Sequence, residues 1–158
     1  MNFYTDIFTQ FDKDWALLSA GTIDDHNAMT VSWGGMGTLW GKPVVTVYVR
    51  HSRHTFSYME KNDCFALSFY DASYKKALGV MGSLSGRDCD KDEKAELHPI
   101  AIENSVSYKE AKTTIICKKI YCDDIRMEDM SEHIVRSYYP TEDIHRMYIG
   151  EVVDIIEE

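Results

Sequence analysis

Six consecutive positions, Arg50-His51-Ser52-Arg53-His54-Thr55, carry two guanidinium groups, two imidazoles and two hydroxyls. An apolar stretch precedes them and helix-forming residues follow, so the segment reads as a strand-to-helix junction with Ser52 as N-cap. The first amides of a helix lack intrahelical partners and sit at its positive end. With an arginine fork and hydroxyls beside them they can cradle a phosphate, a terminal one best. The same residues also suit an ordinary solvated helix cap with surface arginines.

Two other segments could face a ligand. Asn27-Ala-Met-Thr-Val-Ser-Trp33 alternates hydroxyl and apolar side chains and runs into Gly34-Gly-Met-Gly-Thr-Leu-Trp-Gly41, which reads as a glycine-rich loop flanked by aromatics. Thr30 and Ser32, two apart, share one strand face and can hydrogen-bond a flat heteroaromatic ring, with Val31 and Trp33 beside them. Core packing accounts for the tryptophans equally well. The loop is not a dinucleotide fingerprint, because the third glycine after Gly35 and Gly37 is replaced by Trp40. Further on, Gly82-Ser-Leu-Ser-Gly-Arg-Asp-Cys-Asp90 offers Ser83, Ser85, Gly86 and Arg87 on a turn-rich connection able to close over a ligand, although its Ser/Gly/Asp content is also plain turn chemistry.

Charge supports an anion site. The chain has 158 residues and a formal net charge of −9, which disfavours nucleic acid as a partner. Yet no acid occurs from His26 to Met59, where even scattering of the 26 acids would leave about five or six. A second acid-free run, Ala72 to Arg87, adds Lys75 and Lys76. Keeping carboxylates out of one region is what an anionic ligand requires, since repulsion reaches about 8 Å at physiological salt. Strands are also generally poor in acids, which is the competing explanation. His51 and His54 lack a nearby carboxylate in sequence, and the four cysteines show no zinc spacing, so no metal site is expected. Neither a signal-like amino terminus nor a membrane-length apolar run is present, and a cytoplasmic protein without membrane partners is expected.

The elements that must position these residues are short. Segments 15–21, 28–33, 43–50, 64–70, 113–122 and 147–156 are rich in β-branched and aromatic residues, and six strands are expected there. Segments 53–61, 72–80, 91–97 and 128–137 have helical spacing. Short connections favour a mainly β fold, an antiparallel barrel with peripheral helices, over a doubly wound sheet. No linker or repeat divides the chain, so residues 1–158 are expected to form one domain.

Several ordered motifs carry a family resemblance. They are Asn27-Ala-Met-Thr-Val-Ser-Trp-Gly34, Leu39-Trp-Gly-Lys-Pro-Val-Val45, Val49-Arg-His-Ser-Arg-His-Thr55, Phe65-Ala-Leu-Ser-Phe69, Lys76-Ala-Leu-Gly79, Ser83-Leu-Ser-Gly-Arg-Asp88 and His145-x-x-Tyr148-Ile-Gly-Glu-Val152. Together they resemble the flavin reductase-like, FMN-binding split-barrel family over residues 15–154. That resemblance implies a homodimeric split β-barrel holding FMN noncovalently, with NADH or NADPH as electron donor and a small molecule as acceptor. It places Thr30, Val31 and Ser32 along the isoalloxazine, Arg50 to Thr55 near the phosphate and ribityl chain, and Ser83 to Arg87 as further contacts. Arg50, Arg87 and Lys75 become candidates to stabilise the reduced ring, and His145 resembles a family histidine near the nicotinamide. Two functions are implied: an NAD(P)H:flavin oxidoreductase, or a flavoredoxin-like electron carrier reduced by a redox protein partner. Residues 123–142 match least.

Overall fold

A computed structural model describes residues 2–158. It contains a seven-stranded antiparallel sheet, built from β1 (Ala16–Gly21), β2 (His26–Val31), β3 (Gly34–Leu39), β4 (Lys42–Arg50), β5 (Cys64–Phe69), β8 (Thr113–Asp124) and β9 (His145–Glu157). Their spatial order is β2-β1-β5-β8-β9-β4-β3. A separate hairpin pairs β6 (Pro99–Ile102) with β7 (Ser105–Tyr108). Five α-helices flank the strands: α1 (Ile7–Thr9), α2 (His54–Lys61), α3 (Lys75–Ser83), α4 (Lys91–Ala95) and α5 (Glu132–Tyr138). The expected mainly β, split-barrel class with peripheral helices is the one observed.

Both faces of the central strands are covered, which is why they read as apolar runs rather than clean alternation. Leu18, Val45, Val47, Phe65, Leu67, Ile115 and Tyr148 fill one core. Leu17, on the opposite face of β1, packs with Leu78, Met81, Leu97 and Tyr108 beneath α3, α4 and the hairpin. Buried hydroxyls dock that hairpin: Ser19 Oγ donates to the Val106 carbonyl at 2.6 Å, and Ser107 Oγ lies 2.6 Å from Thr114 Oγ1.

Besides the unexpected short helix α1, expectation and structure differ in three places. The glycine-rich segment after Trp33 is not a loop. It is the edge strand β3, paired from Gly34↔Val47 to Leu39↔Lys42, its order supplied by the valine-rich β4 rather than by its own side chains. The hairpin β6–β7 was not expected, and its turn residue Asn104 is left-handed at φ 58°. Finally, α2 is preceded by Arg53 in extended conformation, so Arg53, not Ser52, occupies the N-cap position.

Close packing fixes β9 on β8. A Cβ on Gly150 would meet Cys117 Cβ and the Phe65 ring, each at 2.7 Å. Gly150→Ala is expected to destabilise the protein by about 1–3 kcal/mol through overpacking, read as a lower chemical-denaturation midpoint with an unchanged slope.

Candidate functional site

The two edge strands β2 and β3 are consecutive in sequence, joined only by Ser32 and Trp33. At this join lies a cavity of about 180 Å³ lined by Thr30, Val31, Ser32, Trp33, Tyr48, Arg50, Arg53 and His145, with Met29 behind them. A second cavity, of about 220 Å³, opens between the starts of α2 and α4 and the end of α3. Ser52, Arg53, Thr55, Ser83, Ser85 and Arg87 line it, together with Asn27, His54, Leu84 and Lys91. Arg53 borders both cavities, so a molecule with a planar ring and an anionic tail can lie across it.

The second cavity has no carboxylate in its wall and is strongly basic. Lys91 is buried, with 4% of its surface exposed, and among the described residues no acid lies within ion-pair distance of its ammonium. Burial first and the Arg53 guanidinium second push its pKa down to about 8. Burial, followed by the charges of Arg87 and Lys91, also lowers the pKa of His54. Arg53 is partly desolvated and donates to the Gly82 carbonyl at 3.1 Å. Arg87 donates to the Ser52 carbonyl at 3.1 Å. Thr55 Oγ1 accepts from Asn27 Nδ2 at 2.7 Å and keeps its own proton to donate inward. A buried ammonium beside a guanidinium, with no acid paired to it among the described residues, is costly unless an anion completes the cluster.

Structure and sequence expectation part at several of these residues. Arg50 reaches the first cavity, but its guanidinium donates to the Asp143 carbonyl at 2.5 Å and the Tyr138 carbonyl at 2.9 Å, and sits 5.1 Å over the Tyr139 ring. It thus holds the end of α5 and the segment that follows it, and it does not line the basic cavity. Ser52 is bound by the Asp143 carboxylate, through its amide at 3.2 Å and its hydroxyl at 2.5 Å. His51 pairs with Asp124 at 2.7 Å and stacks on Phe56, and it lines neither cavity. The acid-free stretch of sequence is therefore met in space by Asp124 and Asp143 from the far end of the chain.

Thr30 donates its hydroxyl proton to the Leu78 carbonyl at 2.5 Å and is left able only to accept from a ring. Ser32 forms no side-chain hydrogen bond with the described residues and remains available. Lys75 lies over the Trp15 ring at 3.3 Å and bonds the Lys13 carbonyl, away from both cavities. Gly86 lines neither cavity, yet a Cβ there would strike Asn27 Oδ1 at 2.3 Å and His54 Cδ2 at 2.9 Å, so the bare backbone lets the 83–87 connection close against β2 and α2.

His145 opens β9 with 7% of its surface exposed, and its Nδ1 is 2.7 Å from the Tyr139 hydroxyl. Trp33 stands edge-on to Tyr138 and tilted against His145, both with ring centres 5.4 Å away. Burial, then the Arg50 charge, lowers the His145 pKa to about 4, leaving a neutral imidazole at pH 7. Because protonation is disfavoured only in the folded state, stability is complete above the ordinary pKa of 6.5 and is lost as pH falls from there toward 4. His145→Gln is expected to remove most of that loss, about 2–3 kcal/mol, as read by denaturant titrations at pH 7 and pH 4.5.

Sequence reasoning missed Tyr48 and Lys91 as lining residues, and took in Asn27 and His54 only as members of their segments. Lys91 stands between Asp90 and Asp92, and that acidic context hides it. His54 belonged to the expected cradle segment, and the fold brings its ring to the cavity wall beside Arg87 and Lys91.

The antiparallel split barrel thus carries one cavity at the sheet's join and, beside it across Arg53, a basic cavity between the helices. A family model described as the flavin reductase-like domain matches residues 9–158, and the chain belongs to that family. Solved structures agree in fold. The flavoredoxin of Methanosarcina acetivorans superposes with TM-score 0.71 at 18% identity, covering 92% of this chain and 68% of that one. The flavoredoxin of Desulfovibrio vulgaris (Miyazaki F) gives 0.70 at 20% identity, with 91% and 69% covered. An FMN-binding protein of Thermus thermophilus with bound p-hydroxybenzaldehyde gives 0.71 at 19% identity, with 91% and 71% covered. No curated protein matches.

Proposed function

We propose that this chain binds FMN noncovalently and acts as an NAD(P)H-dependent flavin oxidoreductase. The observation that carries the FMN reading is the buried Lys91 ammonium, which has no ion-paired acid among the described residues, set with Arg53, His54 and Arg87 around a cavity with no carboxylate in its wall. A terminal phosphate supplies the missing negative charge, accepting from Lys91, Arg53 and the Thr55 hydroxyl. The ring system would lie along Thr30, Val31, Ser32 and Trp33, with Ser32 donating to a ring heteroatom. Bound FMN supplies hydride acceptance at its N5 atom. The protein contributes orientation, positive charge from Arg53 near the ring, and the neutral His145 as a hydrogen-bonding wall.

Beside the ring cavity, and sharing Ser32, Trp33 and Tyr48 with it, is a larger recess of about 770 Å³ walled by Ile7, Phe8, Phe11 and Met36. It has room for a second planar group against the first, and a nicotinamide donor or small aromatic acceptor fits that apolar lining. Family membership supports oxidoreductase chemistry. The flavoredoxin neighbours favour a second reading, an electron carrier reduced by a protein partner.

One experiment separates the two. Purified protein loaded with FMN is mixed anaerobically with NADH, then NADPH. Rapid loss of visible absorption with either supports the enzyme; bleaching only through added ferredoxin or a reductase supports the carrier. A protein that takes up no FMN sinks both.

A homodimer belongs to the same proposal. It is supported by the edge strand β3 and the exposed Trp40, which packs edge-on against exposed Tyr121. Light scattering showing a monomer alone would remove it. A cytoplasmic setting without nucleic-acid or membrane partners completes the proposal; among the described residues no helix is long and apolar enough to cross a membrane.

A further inference from the structure

Helix α4 has five residues, too few to be stable without tertiary anchors, yet its first residue carries the buried ammonium of the basic cavity. The next residue, Asp92, is gripped from two sides. His26 Nε2 lies 2.8 Å from Asp92 Oδ2, and the Tyr108 hydroxyl donates to Asp92 Oδ1 at 2.8 Å. His26 Nδ1 faces the Thr22 carbonyl at 3.1 Å. Both ring nitrogens therefore face acceptors, an arrangement that only the doubly protonated imidazolium satisfies completely. The carboxylate beside it raises the His26 pKa accordingly. These side chains are largely buried, at 13% exposure for His26 and 19% for Asp92, and Tyr108 is part of the second core. None of the three lines the basic cavity's wall.

We propose that His26, Asp92 and Tyr108 form a positioning triad that ties the start of α4 to β2 and β7, aims Lys91 into the basic cavity, and so sets selectivity for a phosphorylated over an unphosphorylated flavin. This rests on the basic cavity being the phosphate site. The triad touches no ligand and acts through Lys91. An ammonium on an unanchored single turn would swing toward solvent, where a charge is better hydrated, and its attraction to a phosphate would be screened.

The test is the ratio of riboflavin to FMN dissociation constants, measured by flavin fluorescence quenching for wild type, Tyr108→Phe, Lys91→Met and the double variant. Tyr108→Phe keeps the ring in its core and removes only the hydroxyl. The ratio is expected to be large in wild type, to fall about threefold or more in Tyr108→Phe, and to fall no further when Tyr108→Phe is added to Lys91→Met. That non-additivity is what a merely structural role would not produce. His26→Leu, which releases the same carboxylate from the other side, stands in if Tyr108→Phe does not fold. Equal weakening of both flavins, or additive losses in the double variant, would overturn the triad while leaving the phosphate site standing. A wild-type ratio near one would overturn the phosphate reading and the triad with it.

Discussion

Arg53→Ala is expected to weaken FMN binding by about 10- to 100-fold while weakening riboflavin much less, measured by fluorescence quenching of each flavin. Hydrogen bonds between charged groups contribute about 1.5–3 kcal/mol, and each 1.4 kcal/mol is tenfold in affinity. Arg53 is the residue shared by both cavities, and only one of its donors is committed within the protein, to the Gly82 carbonyl. Some riboflavin loss follows from its place in the ring cavity. Equal losses for the two flavins would remove Arg53 from any phosphate contact.

Lys91→Met should move two observables in opposite directions. The depression of its pKa from the usual 10.5 to about 8 means that holding the charged form in the folded protein costs about 3 kcal/mol. Methionine fills similar space without that cost, so the ligand-free variant should melt higher than wild type, while its preference for FMN over riboflavin should fall by about tenfold or more. The pH dependence has a definite sign. Below pH 8 the ammonium is charged in both folded and unfolded chains and its burial cost is complete; between 8 and 10.5 only the unfolded chain stays protonated, and the cost fades. Ligand-free wild type should thus gain stability as pH rises across that window, while FMN affinity declines over the same interval. A variant that melts lower, with FMN affinity unchanged, would place Lys91 in the packing rather than in the site.

Much of this was legible from residue order because the relevant pieces are contiguous. Strand β4 holds the unbroken β-branched and aromatic run Val44–Val49, β5 is mostly apolar with a phenylalanine near each end, and the junction after β4 gathers Arg53 and Thr55 within a few positions of one another. What stayed hidden depends on partners distant in the chain. Strand β3 has three glycines in six residues and takes its order from β4, so its own composition reads as loop. Arg50 looked free until the end of α5 and the turn after it came back to claim it with two carbonyls. Lys91 sits among acids in sequence, and only tertiary placement turns those acids away: Asp92 toward His26 and Tyr108, Asp90 onto the Glu93 amide. An acid-poor stretch marked the right neighbourhood, but not which of its cations were unclaimed.

The Ser32–Trp33 step, where the last strand at one margin of the sheet turns directly into the first at the other, gives the ligand a mechanical part. A planar molecule lodged at that seam would act as caulking between margins that no backbone ladder stitches together. Amides of β2 and β3 should then exchange with deuterium most slowly in the flavin-loaded protein, and the chain and its cofactor would share a single melting transition.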